Sequence, residues 1–151
     1  MKEIWTIKHF NELTNNELYA ILRLRSDVFV VEQNCVFLDQ DNKDQKAFHL
    51  FCEDDSGNIL ACARLLSPGD SYPDESSIGR VCSALSTRGT GIGQRLMEQS
   101  IQHTKQLFPN HSIRIGAQSY LLKFYGRLGF IPNGPEYMED GIPHTEMVLS
   151  V

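Results

Sequence analysis

The chain has 151 residues, 41% of them hydrophobic and 22% charged, with a formal net charge of −5. That length suits one domain, 1–151, able to bury a real core, and the composition is ordinary for a globular protein. The acidic balance argues against nucleic acid or an anionic membrane as partner; Met1-Lys2-Glu3-Ile4-Trp5 holds no apolar signal core, and no run reaches the ~18 apolar residues of a membrane span, so a cytoplasmic location is expected.

In chain order, residues 4–7 read as a first strand. Thr14 and Glu17 form a capping box, S/T-x-x-E. The helix it opens runs to about Val28, with Leu18, Ile21, Leu22, Arg25, Val28 and Phe29 at helical spacing. Arg25 lies on or beside that apolar stripe, where a charge is usually paired; Glu32 is the expected partner. Residues 28–33 then carry the chain toward the core. The polar stretch 34–46 holds Asp39, Asp41 and Asp44, but Lys43, Asp44 and Leu50 break the calcium-loop pattern. Two readings stand for it: a solvated acidic loop, or an acidic rim that attracts an amine.

Residues 48–52 and 59–66 read as an antiparallel hairpin across the turn signal Asp54-Asp55-Ser56-Gly57-Asn58. A strand follows over 78–84, then a tight loop over 86–93. The helix at 94–108, with Ile92 just ahead of it, places Ile92, Leu96, Met97, Ile101, Thr104 and Leu107 on one broad face. A strand at 112–117 and a short helix at 120–128 come next, with Gly129 as the C′ residue. Asp140-Gly141 marks a hairpin turn, and 146–151 supplies a last strand. The order is β-α-β-β-β-α-β-α-β, with one extra strand near Ile131 or Tyr137, which is a mixed α/β sheet with helices on its faces.

Cys35, Cys52, Cys62 and Cys82 form no C-x-x-C pair. They read as free thiols rather than a zinc site, and no metal is expected. Cys82, beside the glycine loop, is the one placed for nucleophilic work.

That loop, between a strand and a helix, aims backbone N–H groups and a helix dipole at one point, where an anion binds. Its glycines leave no Cβ in a ligand's way, and Arg88 adds a planar fork of donors suited to phosphate. A dinucleotide fingerprint fails, because Gln94 stands where the third glycine is needed. A P-loop fails as well, because Gln94-Arg95 replaces the required Lys-Ser/Thr. What remains is R-x-x-G-x-G, Arg88 to Gly93.

This loop, the element order, and the later F-Y-x-x-x-G-F run of Phe124 to Phe130 resemble the GCN5-related N-acetyltransferases over essentially the whole chain. Arg25, the run Val28-Phe29-Val30-Val31-Glu32-Gln33-Asn34-Cys35, Asp39, Asp41, His49 and Glu139-Asp140-Gly141-Ile142-Pro143-His144 resemble its ElaA-like branch. The resemblance implies an acyl-CoA N-acyltransferase fold: a mixed, mostly antiparallel sheet with helices on both faces and splayed central strands. It implies acetyl-CoA as co-substrate, and a small-molecule or peptide amine as acceptor, with a homodimer as the assembly to test.

By the same resemblance, Val81 and Ser83 lie along the pantetheine arm, and an N–H of Val81 or Cys82 serves the oxyanion. Arg88, Gly89, Thr90, Gly91, Ile92 and Gly93 hold the pyrophosphate, with Gln94 and Arg95 close behind. Gln118 stands where the family often has Asn. Tyr125 matches the family's general acid. For the base, Glu32, His49 and His144 remain open, as does a water relay. Two other readings compete with the N-acetyltransferase. One is an enzyme like the acyl-homoserine-lactone synthases, which share the fold and carry an Arg and a V-F motif near the N-terminus. The other is an acyl-CoA-binding module without turnover.

Overall fold

The computed structural model describes residues 2–151. Strands β1 (Ile4–His9), β2 (Phe48–Glu53), β3 (Ile59–Leu66) and β4 (Ser77–Ser83) form one antiparallel sheet in that order. A second antiparallel sheet is built on β8 (Ile142–Leu149), which pairs with β5 (Ile113–Gln118) and with the short β6 (Ile131–Pro132) and β7 (Tyr137–Glu139). Both places expected for an extra strand carry one. The turn from β7 to β8 has positive φ at Asp140 (51°) and Gly141 (77°), the primed geometry that matches strand twist. Pairing therefore starts at Ile142, four residues ahead of the expected strand.

The helices cover both faces. Helix α1 (Asn15–Arg25) starts on the capping box: Thr14 Oγ1 accepts from the Glu17 N–H at 3.1 Å and Glu17 Oε1 from the Thr14 N–H at 2.9 Å. Its Ile21 and Leu24 pack on Phe51, Cys62 and Cys82. Helix α2 (Ile92–Leu107) packs Leu96 and Met97 on the other face, against Leu50, Ala61, Ala63 and Leu65. The short helix α3 (Leu122–Arg127) follows a 3₁₀ turn at Ser119–Leu121. Among the described residues no helix is long and apolar enough to cross a membrane.

Two local departures from regular geometry shape the site. The chain does not leave the helix at Val28. It widens into a π-helical segment, Ser26–Glu32, closed by the Gln33 N–H to Val28 carbonyl bond at 3.2 Å. In β4, Arg80 adopts φ +50°, and the β3–β4 register slips opposite it. A regular strand would put Ile78 and Cys82 on one face. With the bulge, Ile78 joins the α2 side and Cys82 the α1 side.

The acidic stretch 34–46 is neither a solvated loop nor an amine-attracting rim, because its carboxylates are consumed internally. Arg25, 1% exposed, donates to Asp39 (2.8 Å) and Asp44 (2.8 Å). Arg64 donates to Asp41 (2.7 Å) and Asp44 (3.0 Å), and Arg80 to Asp39 (2.8 Å). Three arginines from α1, β3 and β4 thus neutralise three aspartates and pin the loop over the bulge. Arg25 is not paired with Glu32, as the sequence suggested, because Glu32 ends the π segment and points elsewhere.

Asp44 bridges two arginines, so Asp44→Ala leaves a buried surplus of positive charge and is expected to cost about 3–5 kcal/mol, read as a lowered urea midpoint at unchanged slope. Burial works to raise the Asp41 carboxyl, but the hydrogen bonds and charge of Arg64 overcome it and hold it at about 2. The folded value lies below the unfolded ~3.9. Its contribution is therefore complete above about pH 4 and lost as pH falls toward 2. Stability that stays flat across that window in acid titration would show the pair to be energetically idle.

Candidate active site

The two sheets meet at one end only. Ser76 bridges Ile113, its N–H donating to the Ser112 carbonyl at 3.1 Å and its carbonyl accepting from the Arg114 N–H at 2.9 Å. Beyond that point β4 and β5 part. A cleft of about 460 Å³ opens between them, walled by β4 from Ile78 to Ser83 and by Ile115, Gly116 and Gln118 of β5. Among the described residues no strand pairs with the β4 edge along 78–83 on the cleft side, so its backbone donors and acceptors remain open to a ligand.

One end of the cleft is the glycine loop. Gly89 and Gly91 hold φ of +82° and +81°, and Gly91 is the left-handed N-cap of α2 with no side chain capping it. The first intrahelical bond is Arg95 N–H to the Gly91 carbonyl (3.2 Å), so the Ile92, Gly93 and Gln94 amides lie ahead of the helix ladder. A Cβ on Gly93 would meet nothing within 4 Å, which leaves open space at the cleft wall. Arg88 reaches across the mouth: Nη1 donates to Glu32 Oε2 at 2.6 Å and Nη2 to the Ser83 carbonyl at 3.1 Å. The rest of the loop is less directly involved. Thr90 gives its hydroxyl proton to the Thr87 carbonyl, and the Ile92 side chain is buried in the core. Gly89, Thr90, Gly91 and Gln94 are exposed beside the cleft. Arg95 turns to the far side, where Glu3 takes its guanidinium.

Tyr125 of α3 forms the floor, 7% exposed, edge-on to Phe124 (5.1 Å) and Phe130 (6.0 Å). Its hydroxyl has no hydrogen-bond partner among the described residues. It is not one of the fully sealed polar atoms either, so it opens into the cleft. Burial pushes its pKa up to about 12.

The wall facing the loop is lined by Phe29 and Glu32 of the π segment, and Cys35, Phe37, Glu139, Asp140 and His144 line the cleft beyond it. The Cys35 thiol donates to the Asp140 carbonyl at 3.3 Å, tying the two segments together. His144 stands opposite Gln118 in the β5–β8 pair and stacks on Tyr137 (5.7 Å). Its Nδ1 lies 2.7 Å from the Ile142 carbonyl. A carbonyl can only accept, so Nδ1 carries the proton and Nε2 is the basic nitrogen of the neutral ring. Glu139 Oε2 lies 3.4 Å from Nε2, placed to pair with the imidazolium once a proton arrives.

Of the expected site residues, Glu32, Val81, Cys82, Ser83, Arg88, Gly93, Gln118, Tyr125 and His144 line this one cleft. His49 does not. It is 1% exposed, donates from Nε2 to the Asp44 carbonyl at 2.9 Å, and faces the α1 side beside Phe51. Burial lowers its pKa, as the neighbouring Arg25 and Arg64 do. It is a core residue, remote from the cleft. Cys82 also loses its nucleophilic reading. Its thiol lies 3.6 Å from that of Cys62 on the α1 side, and that contact together with burial raises its pKa well above the ordinary thiol range. Only its backbone faces the cleft. The sequence reading missed Phe29, Phe37, Gly116 and Glu139 as lining residues. Gly116 had a signal, an isolated glycine within a strand: a Cβ there would stand 2.7 Å from the Tyr137 hydroxyl. Among the described residues no group of three or more His, Cys, Asp or Glu could hold a metal ion.

The family description "Acetyltransferase (GNAT) domain" matches residues 27–151. Protein ElaA of Escherichia coli is 39% identical over 150 residues, covering 97% of this chain and 96% of that protein; its crystal structure superposes with a TM-score of 0.90. An acyl-CoA N-acyltransferase from Pseudomonas aeruginosa is 40% identical with a TM-score of 0.94, covering 99% of this chain and 100% of that one. The AHL synthase LasI, at 15% identity and a TM-score of 0.79, over 98% of this chain and 89% of its own, shares the fold alone.

Burial sorts the thiols. Cys52 is pushed up to about 11 and Cys82 is also raised well above the ordinary thiol range, whereas Cys35 is only half-buried. Since the thiolate is the reactive form, an aromatic disulfide reagent should titrate one thiol in the native protein and four after unfolding. Cys35→Ser should abolish the native reaction; labelling of Cys82 at a comparable rate would contradict the packing described.

Proposed function

The chain belongs to the GNAT acetyltransferase family, and from that premise we propose that it moves an acetyl group from acetyl-CoA to a substrate amine by direct attack inside the β4–β5 cleft. We infer one catalytic unit across 1–151, since both sheets supply walls of one cleft, working in the cytoplasm. The observation that carries this reading is the unpaired inner edge of β4. A pantetheine arm has two amides, and an open strand edge is what an amide chain pairs with. The ends of that edge are suitably furnished. At one, Arg88 and the amides at the start of α2 are the groups that would hold a diphosphate, through charge, planar donors and helix dipole. The open space at Gly93 leaves room for it.

The amine must lose a proton to expose its lone pair. His144 Nε2 takes that proton, and Glu139 then balances the imidazolium. As the C–N bond forms, the carbonyl oxygen gathers charge that an N–H of Val81 or Cys82 stabilises. As the C–S bond breaks, the Tyr125 hydroxyl gives its proton to the departing sulfur, and the second proton, shed by the acylated nitrogen, restores the hydroxyl. In water, transfer from a phenol at about 12 to a thiolate whose acid has pKa ~8.5 would be uphill by roughly 5 kcal/mol. The burial that raises the tyrosine raises a thiolate beside it too, so the mismatch narrows and donation follows the developing charge.

The reading is tested by following free-thiol release from acetyl-CoA over polyamines, aminoglycosides, amino-acid amides and peptide N-termini. Binding of CoA with no release on any amine would reduce the protein to a binding module. With an active amine in hand, Tyr125→Phe should lower kcat by about 100-fold or more and leave CoA affinity within a factor of about three. The acid must stay protonated to act. With a pKa of about 12, the wild-type rate should show no fall assignable to it through pH 10, where an ordinary tyrosine would already be half-ionised. An undiminished rate in Tyr125→Phe removes the acid role. Gly93→Val, whose side chain enters open space, should keep thermal stability near that of the parent while weakening CoA binding at least tenfold; unchanged affinity would move the diphosphate elsewhere.

A further inference from the structure

Resting on the acyl-transfer reading, we propose that Glu32 and Arg88 form an exchangeable latch. Diphosphate drawn to Arg88 releases Glu32, and the freed carboxylate then positions the ammonium group of the acceptor.

The two side chains come from opposite walls of the cleft mouth, Glu32 from the end of the π segment and Arg88 from the glycine loop. They meet at 2.6 Å, with 40% and 37% of their side-chain surfaces exposed. Both line the cleft. Arg88 therefore has two calls on one guanidinium: the carboxylate it holds, and any anion seated on the amides ahead of α2. A diphosphate carries about two negative charges and offers several acceptors, and it sits where the helix dipole adds to its attraction. An exposed ion pair is a weak competitor. Giving up Glu32 needs only rotation of flexible side chains at the surface.

The exchange has a second consequence. Once Arg88 faces the diphosphate, Glu32 is left as an uncompensated carboxylate beside an anion, in the same cleft as His144. A cation arriving there relieves the repulsion. The other acidic side chains near this wall are not equivalent: Asp39 is locked onto Arg25 and Arg80, Glu139 lies beside His144, and Asp140 is exposed at the β7–β8 turn. CoA and a cationic acceptor should therefore each raise the other's affinity, a reciprocity that binding equilibria require. Glu32 acts here as a positioning residue. Its charge costs CoA affinity in the unliganded protein and returns it as acceptor affinity once CoA is bound.

The experiment is calorimetric titration of CoA, and separately of pantetheine, which lacks the diphosphate, into the wild-type protein and into Glu32→Gln and Glu32→Ala. With the competitor for Arg88 gone, both variants should bind CoA roughly 2- to 5-fold more tightly, the size of an exposed ion pair, and pantetheine should bind all three alike. In steady-state kinetics the same variants should raise the KM of the amine with a smaller change in kcat. The mutual enhancement between CoA and acceptor should disappear. CoA affinity unchanged or weakened in both variants overturns the latch and leaves acyl transfer standing. Failure of the wild-type protein to bind CoA at all overturns both.

Discussion

Everything functional in this molecule depends on two sheets that join at a single bridge. Ser76 and Ile113 hold β4 and β5 together at one end, and right-handed twist carries the strands apart beyond it. A strand edge left without a neighbour is normally a hazard, because unpaired amides recruit other chains. In this fold the edge is enclosed. The opposing wall is β5, the floor is Tyr125, and the mouth is spanned by the Arg88–Glu32 pair. The open backbone lies inside a cleft rather than at an exposed edge, and the residues proposed for the chemistry are arranged along its length.

The shape of that edge is maintained from behind. Arg80 sits in a left-handed conformation that a residue with a Cβ adopts at some cost. Its guanidinium is held by the Asp39 carboxylate and by the Asp39 carbonyl, both at 2.8 Å. The same aspartate holds Arg25, and Asp44 joins Arg25 to Arg64. A buried ion-pair cluster is a doubtful source of net stability, since desolvation offsets much of the attraction. Its consequence here is geometric. It fixes the stretch 34–46, and with it the cleft-lining Cys35 and Phe37, against a bulge that flips the facing of β4.

Much of the fold was legible in the chain, and the legible parts share a range. The Thr14–Glu17 box, the amphipathic face of α2, the glycines at 89 and 91, and the Asp140-Gly141 turn each depend on residues a few positions apart. The glycine loop and the F-Y-x-x-x-G-F run pointed to Arg88, Gly93 and Tyr125 at the cleft for the same reason. What went astray was pairing. Arg25 was matched to Glu32, a few residues along the chain, and the three aspartates were read as a solvated loop or an amine-attracting rim. His49 was kept as a base because an isolated strand does not say which face meets the cleft.

The sequence by itself determined where helix α1 begins, where the β7–β8 turn falls and which loop carries the left-handed glycines, because capping, φ preference and apolar periodicity are settled within one or two turns of chain. The tertiary structure alone decided which charges meet. Arg88 finds Glu32 across 56 residues and Arg95 finds Glu3 across 92. It also decided that Cys82 turns inward at the bulge and that His144, not His49, faces the cleft. A charge pairs with whatever packing brings within a few ångströms, and no local preference of the chain encodes that distance.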